Sequence, residues 1–201
     1  MATLAEVRTR LRRRLEDTSA SPLWTDAELD EALKAALEAY TARSPREATA
    51  SLTASGGETE LPVPSDALEV VRVVAPSGAV LPRRVGPLRG VWDEELAWEA
   101  FAGKLEFSGK LPAGTYEVWY YGERAWPAAD TGSFPVDDAD VPYIVAWAAV
   151  WALELRLTAE WKRSALPARA GVVLEEARRT LRAEERARFR RVRTRQVEAT
   201  G

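Results

Sequence analysis

Two clusters of carboxylates are the residues whose types and spacing could do chemistry. Paired acids can supply a general acid and a general base, and grouped carboxylate oxygens can hold a divalent cation. The clusters are Asp93, Glu94, Glu95 and Glu99, and Asp137, Asp138 and Asp140. The second precedes an apolar helical run, where acids complement the helix dipole. Neither has the spacing of a calcium loop, so the sequence favours structural roles and predicts no catalytic residue and no metal site.

The composition removes most other catalytic groups. The chain of 201 residues has no Cys and no His, which excludes a Ser-His-Asp triad, a thiolate nucleophile and a Cys/His zinc site. The Gly-Lys pairs at 103–104 and 109–110 are followed by Leu, unlike those of a phosphate-binding loop. We therefore predict a protein that is not an enzyme and uses no cofactor. A glycosidase that works with carboxylates alone is the enzymatic alternative.

A run of arginines near the C-terminus, RARFRRVRTRQ, is the second notable feature. Residues 45–140 carry 8 basic and 16 acidic side chains, whereas residues 141–201 carry 13 basic and 7 acidic ones. The run could be a solvated helix end, an arm that docks on an acidic partner, or a contact for a phosphate backbone. The candidate partner-binding residues are Arg186, Arg190, Arg191, Arg193 and Arg195.

Aromatic residues form a third candidate surface. Trp119, Tyr121 and Trp126 lie at and just beyond the end of a predicted strand. Alternation along that strand places Tyr116 and Tyr120 on one face, and Trp119 and Tyr121 on the other. One face can fill a core, while the other covers a neighbouring element or a partner. We predict that Trp119, Tyr121 and Trp126 contact a partner.

Helices at both ends of the chain must position these residues. Leu4, Val7 and Leu11 have helical spacing, in a first helix that ends around residue 17. A second helix follows a capping box of Thr25 and Glu28, and ends near residue 43, before Ser44-Pro45. The run DDADVPYIVAWAAVWALELRLTAEW predicts a buried central helix. A last helix runs from about residue 170 towards 197, with its second half extended from the body.

Short β-rich runs separated by Gly and Pro turns fill the middle of the chain, in ATASLTA, ETELPV, LEVVRVVA and AVLPRR. The segment KLEFSGKLPAGTYEVWYYGE predicts two strands joined through residues 112–114, and GPLRGVWDEELAWEAF predicts a short helix or ordered loop. The predicted fold class is α+β. Residues 1–44 form a helix hairpin, 45–137 an inserted, mostly antiparallel β module, and 138–201 the C-terminal helices and basic arm.

Hydropathy and the scarcest residue types indicate where the protein acts and what kind of organism it suits. The longest apolar stretch, VPYIVAWAAVWAL, is shorter than a membrane span and is followed by Glu154 and Arg156, and the N-terminus has no secretory pattern. We expect no membrane association and a cytoplasmic place of action. The chain has no Asn, one Gln and one Met, a profile that suits a thermophilic source, although GC-rich coding would also produce it.

The order of elements resembles a known family. A short N-terminal helix, a WTDAEL helix start, a β module introduced by LPVPSDALEVVRVV and closed by GTYEVWYYG, and two final helices are similar to the head-tail connector, or adaptor, proteins of tailed bacteriophages. The resemblance implies a structural protein of the virion, made in the host cytoplasm. It implies a ring of copies, usually twelve, which sits beneath the portal at the head-tail junction and extends the DNA channel.

The resemblance also assigns partners. The arginine arm would reach the portal ring, and Trp119, Tyr121 and Trp126 would face a tail or gatekeeper protein or a neighbouring copy. DNA would pass through the channel without sequence-specific contact. The alternative function is a DNA-binding or packaging-accessory protein that places the same C-terminal arginines on phosphates.

Overall fold

The computed structural model describes residues 1–84, 95–161 and 170–198, with side chains for 1–84, 95–158 and 171–188. These residues form two compact units, and the α+β fold class is confirmed. The helical unit comprises Met1–Arg43 and the chain from Arg124 onward, and the β unit comprises Ser44–Glu123. Position 91 and its neighbours from 85 to 94, including Asp93 and Glu94, lie outside the described residues.

The helical unit begins with two capped helices. Helix α1 spans Leu4–Arg14 and starts at a capping box in which Thr3 and Glu6 bind each other's backbone amides. Helix α2 spans Asp26–Arg43, and the predicted box is confirmed: the Glu28 carboxylate accepts from the Thr25 amide at 2.8 Å. Apolar side chains of both helices meet in one buried core, as their spacing predicts.

Helix α3, Val141–Trp161, is the central helix of this unit. Its first 18 residues, 141–158, have the length and hydropathy of a membrane span, but half of that window is buried inside the structure. Ile144, Ala148 and Ala152 lie in the core shared with α1 and α2. We therefore assign α3 as the core helix of a folded unit.

Helix α4, Ala170–Glu198, packs on the helical unit over much of its length. Ala177 is buried, Leu181 packs against the core, and Arg188 is 9% exposed. The expectation that the second half of this helix extends from the body is therefore wrong as far as Arg188. Beyond Arg188 the backbone continues as helix, and the side chains lie outside the described ones.

The β unit contains two antiparallel sheets. The strands are β1 Arg46–Ala54, β2 Glu60–Pro62, β3 Ala67–Val74, β4 Val80–Leu81, β5 Trp98–Phe101, β6 Lys104–Phe107 and β7 Gly114–Gly122. One sheet has the order β1-β7-β3-β4, and the other has the order β2-β6-β5. Their apolar faces share a core around Trp98, Leu105, Tyr116 and Val118.

One sequence expectation for the β unit is wrong. Residues 98–101, expected in a helix or loop, form β5, which pairs with β6 through a tight turn where Ala102 and Gly103 have positive φ. The two strands predicted in KLEFSGKLPAGTYEVWYYGE are present as β6 and β7, but they belong to different sheets and do not pair with each other. The segment between them crosses from one sheet to the other, and buried Leu111 exchanges backbone hydrogen bonds with Gly57 and Glu58.

The second boundary of the β unit lies earlier than the sequence suggests. Residues 124–137, assigned to the inserted module, pack on the helical unit. Phe134 is fully buried in its core, and the Gly132 carbonyl accepts a hydrogen bond from the Leu4 amide. An antiparallel bridge between Thr3 and Ser133 joins the segment to the residues before α1, so it covers the start of that helix.

Candidate functional site

The outer face of the four-stranded sheet is the first candidate surface. The predicted alternation along β7 is confirmed: Tyr116 and Val118 are buried, and Trp119 is 42% exposed. The Arg72 guanidinium lies 4.8 Å from the centre of the Trp119 ring, a cation–π contact with the neighbouring strand. An aromatic side chain held in place on an exposed sheet face is ready to bind a partner without further ordering.

Two irregularities in β3 enlarge this apolar face. The register between β3 and β7 shifts between Ala67 and Glu69 and again between Val70 and Arg72. Each shift is a β-bulge that adds one residue, Leu68 in the first case and Val71 in the second. Both side chains are about half exposed. The run LEVVRVV therefore presents Leu68 and Val71 to solvent, while Val70 and Val73 fill the core.

A groove of about 440 Å³ crosses β1, β7 and β3 on this face. Its lining includes Val71, Trp119, Tyr121 and Glu47. Glu47 pairs directly opposite Tyr121, and Glu117 lies two residues before Trp119 on the same face. Neither Glu47 nor Glu117 has an ion-pair partner among the residues that the structure describes. We call this groove, together with Glu117 on the same sheet face, the acidic groove.

Trp126 does not belong to the acidic groove. It lies in the helical unit, where its ring meets Phe134 edge-on at 6.0 Å between centroids. The Lys34 ammonium lies 5.2 Å from the Trp126 ring centre. The sequence grouped Trp126 with Trp119 and Tyr121 because they are close along the chain, but the structure places it against a different core.

The second candidate surface is α4, which Arg188 fastens to the helical unit. The Arg188 guanidinium lies 4.2 Å from the centre of the Tyr40 ring, and its Nε lies 3.3 Å from Asp140 Oδ1 without hydrogen-bond geometry. The Tyr40 hydroxyl donates a hydrogen bond of 2.6 Å to the Asp140 carboxylate. Arg43 of α2 pairs with Glu185 one turn earlier. These contacts join α4 to α2 and to Asp140, the residue before α3.

Replacing Arg188 with Met should loosen α4. The change keeps the aliphatic length but removes the cation from a buried ion pair, which leaves Asp140 short of a partner and costs about 3 kcal/mol. Arg186→Met is the matched control, because Arg186 is exposed on the same helix and should change stability by less than about 0.5 kcal/mol. Limited proteolysis should cut the Arg188→Met variant faster within α4. Equal cleavage of both variants would show that Arg188 does not hold the helix.

The same contacts make the helical unit sensitive to high pH. Burial, and then the hydrogen bond to Asp140, raises the pKa of Tyr40 to about 12. Because the folded state favours the protonated phenol, this stabilisation is complete below the ordinary tyrosine pKa of about 10 and is lost as the pH rises towards 12. Tyr40→Phe should reduce the alkaline loss of stability, measured by urea unfolding at pH 9 and at pH 11. An unchanged alkaline loss would contradict it.

Three arginines form a basic surface on the opposite face of α4. Arg179, Arg182 and Arg186 are exposed and have the i, i+3, i+7 spacing of one helix face. None of them has an ion-pair partner among the described residues, whereas Arg178 pairs with both Glu154 and Glu175. We call these three residues the arginine stripe. The sequence missed Arg179 and Arg182, although their spacing relative to Arg186 was a visible signal.

Of the predicted arm, only Arg186 has a described side chain. Arg190, Arg191, Arg193 and Arg195 lie on α4 beyond the Arg188 contact, with side chains outside the described ones. We call these four residues the C-terminal arm. Arg186 lies before Arg188, on the part of the helix that is packed against the body. The structure thus separates the five predicted residues into one stripe member and four that follow the attachment point.

Buried charge elsewhere in the helical unit has a structural role. Arg8, 8% exposed, donates through its guanidinium to Asp30 and Asp130 at distances between 2.8 and 3.1 Å. These bonds hold α1, α2 and the segment before α3 together. They raise the pKa of Arg8 and lower that of Asp130.

Replacing Arg8 with Leu should destabilise the helical unit by about 2–3 kcal/mol, since Asp30 loses its charged partner in a partly buried place. Arg13→Leu on the exposed face of α1 is the control. Because the folded state lowers the pKa of Asp130, the stabilisation from that pair exists above the unfolded pKa and fades as the pH falls. When the pH is lowered and unfolding is followed by circular dichroism, Arg8→Leu should therefore lose less stability than wild type. An equal loss of stability in the two proteins would contradict this linkage.

The carboxylate clusters of the sequence have partners where they are described. Asp138 binds the N-terminal amine and the Ala2 amide, which together lower its pKa. Asp140 binds Tyr40 and Arg188. Within residues 1–84, 95–161 and 170–198, no group of three or more acidic side chains has the arrangement of a metal site.

The two units thus carry surfaces of opposite charge: an acidic groove with an aromatic floor on one unit, and exposed arginines on the other. The family model described as SU10 adaptor protein matches residues 2–198, so the match covers both units. The chain belongs to the SU10 adaptor protein family, and the resemblance to phage adaptors is confirmed. It is therefore a bacteriophage adaptor protein and a structural component of the virion. A comparison with curated proteins gives no match.

Proposed function

We propose that this chain is the head-tail adaptor that forms a ring beneath the portal, extends the DNA channel and joins the head to the tail. The observation that carries the proposal is that exposed charges of opposite sign on separate units have no ion-pair partner among the described residues. Repeated complementary patches suit a ring, because the same interface recurs between every pair of neighbours. Twelve copies, the number implied by the resemblance, is the copy number we propose.

The C-terminal arm is the proposed portal-binding element. It follows the Arg188 attachment, so it can bind a partner while the preceding turns stay packed on the body. Four arginines within six residues give a high density of cations for an acidic portal surface. Arg186 is not included among the proposed portal-binding residues, because it lies on the packed part of α4.

The acidic groove is the proposed contact for a neighbouring copy, with Trp119 and Tyr121 as its aromatic residues. Trp126 is not proposed for this contact, because it packs inside the helical unit. A tail or gatekeeper protein would bind elsewhere on the ring. The role is assembly rather than catalysis, in the host cytoplasm first and in the virion afterwards, and the scarcity of thermolabile residues suits growth at high temperature.

One observation favours a second function. The arginine stripe and the C-terminal arm together place seven arginines on one helix, an arrangement that can also follow a phosphate backbone. A DNA-binding or packaging-accessory protein would show duplex binding that weakens steeply with salt. The adaptor role instead has DNA passing through the channel without sequence-specific contact.

Co-sedimentation with the portal ring of the same phage tests the proposal. The purified chain is mixed with portal rings at moderate salt, with and without competing duplex DNA. An adaptor should sediment with the portal in both samples. Binding to the duplex in place of the portal would contradict the adaptor role and favour the DNA-binding function.

A further inference from the structure

We propose that the acidic groove of one copy receives the arginine stripe of a second copy. The proposal deepens the adaptor function, because it names the two surfaces that would join neighbours in the ring. It concerns self-association of this chain, and it can therefore be tested without the portal. Neither surface was recognised as a docking site for the other from the sequence.

The groove has an apolar floor, with Glu47 in its lining and Glu117 further along the same sheet face. Glu47 lies beside Tyr121, and Glu117 lies four residues before Tyr121 on the same strand face. Four residues of a strand span about 13 Å, so the two carboxylates flank Trp119 at about that separation. Val71 and Trp119, each nearly half exposed, form the floor between them. The complementary partner has two cations with a small apolar side chain between them.

The arginine stripe has this pattern. Arg179 and Arg186 are seven residues apart on α4, which separates them by about 10 Å along the helix axis. Ala183, exposed on the same side, lies between them and leaves room for an aromatic ring. Long arginine side chains can bridge the remaining difference in spacing. Arg182 is placed to meet the groove from the middle of the stripe, where the ring of Tyr121 can accept a cation; Trp119 already contacts Arg72.

Charge decides between the kinds of partner that could cover the groove. Glu47 and Glu117 have no ion-pair partner among the described residues and outnumber Arg72, the cation beside Trp119 on this face, so the face disfavours nucleic acid and acidic peptides and attracts a surface that carries guanidinium groups. Groove and stripe are different patches, so their contact is heterologous: each copy uses its groove towards one neighbour and its stripe towards the other. Such a contact closes into a ring when the rotation between copies allows it.

Sedimentation velocity with a charge swap tests the pairing. In one variant all three stripe arginines are changed to Glu, and in a second Glu47 and Glu117 are changed to Arg. Each variant should self-associate at least tenfold more weakly than wild type. The variant carrying both sets of changes should recover association, because opposite charges face each other again. A control in which the four residues of the C-terminal arm are changed to Glu should associate like wild type.

Three outcomes would overturn the pairing. The wild-type chain could stay monomeric at millimolar concentration, either the stripe variant or the groove variant could associate normally, or the variant with both sets of changes could fail to recover association. Circular dichroism must match wild type for each variant; a variant that fails to fold is replaced by Glu117→Gln or Arg182→Gln, which should weaken association in the same direction.

Cross-linking identifies the occupant of the groove directly. A photo-reactive amino acid is placed at position 71, and equal amounts of isotopically light and heavy chains are mixed before illumination. Mixed-isotope cross-links to the segment 179–186 would support the pairing. Cross-links only to another segment, or no mixed-isotope product, would overturn it. The portal assay separates the two proposals, because the arm variant should lose portal binding and keep self-association, while the stripe variant should do the reverse.

Discussion

Changing Arg190, Arg191, Arg193 and Arg195 together to Glu should reduce binding to the portal ring by more than 100-fold. The change replaces four attractions by four repulsions, and like charges brought together at an interface cost several kcal/mol. The fold should survive, because these residues follow the Arg188 contact that attaches α4 to the body. Binding is measured by surface-immobilised portal rings at two salt concentrations, and folding by circular dichroism.

Two controls test whether the loss of portal binding is specific to the position and to the charge of the arm residues. The variant with all three stripe arginines changed to Glu carries a similar change of charge on the same helix, so it should keep its affinity for an isolated portal. Changing the four arm residues to Lys keeps the cations and should retain most of the binding. Full portal binding by the Glu variant of the arm would show that the portal contact lies elsewhere on the chain.

The second large effect is expected in the core of the β unit. Trp98→Ala should destabilise this unit by about 3–5 kcal/mol, the usual cost of truncating a buried aromatic residue. Trp98 is fully buried, and its indole Nε1 donates to the Leu81 carbonyl at 3.1 Å, which leaves that carbonyl without its donor after the change. Urea unfolding followed by far-ultraviolet circular dichroism measures the loss.

Trp119→Ala is the matched control in the same unit. Trp119 is 42% exposed and contacts Arg72 on the outer face, so its removal should cost less than about 1 kcal/mol of stability. It should instead weaken self-association, since it removes part of the groove floor. A larger stability loss for Trp119→Ala than for Trp98→Ala would reverse the assignment of inner and outer faces.

The features that the sequence predicted correctly depend on neighbouring residues. The Thr25–Glu28 capping box needs two residues three apart, and the alternation of β7 needs only the period of a strand. The spacing of apolar residues in α1 and α2 likewise identifies the buried faces. Each of these signals lies within one element, where the backbone geometry fixes which side chains point together.

The features that the sequence missed depend on contacts between distant residues. The separation of β6 and β7 into two sheets is decided by their pairing with β2, β5, β1 and β3, which no local pattern specifies. Spacing along the helix pairs Arg188 with Glu184, but the structure turns Arg188 towards Tyr40 on α2 and Asp140 just before α3. Trp126 was misplaced for the same reason, because its partner Phe134 belongs to the helical unit.

Electron cryo-microscopy of the purified chain mixed with the portal ring of the same phage tests the adaptor role most directly. The role predicts an added collar on one end of the portal, in register with the portal subunits, with α4 of each copy nearest the portal and the acidic groove of each copy covered by its neighbour. A bare portal under conditions where the chain is folded and in excess would contradict it.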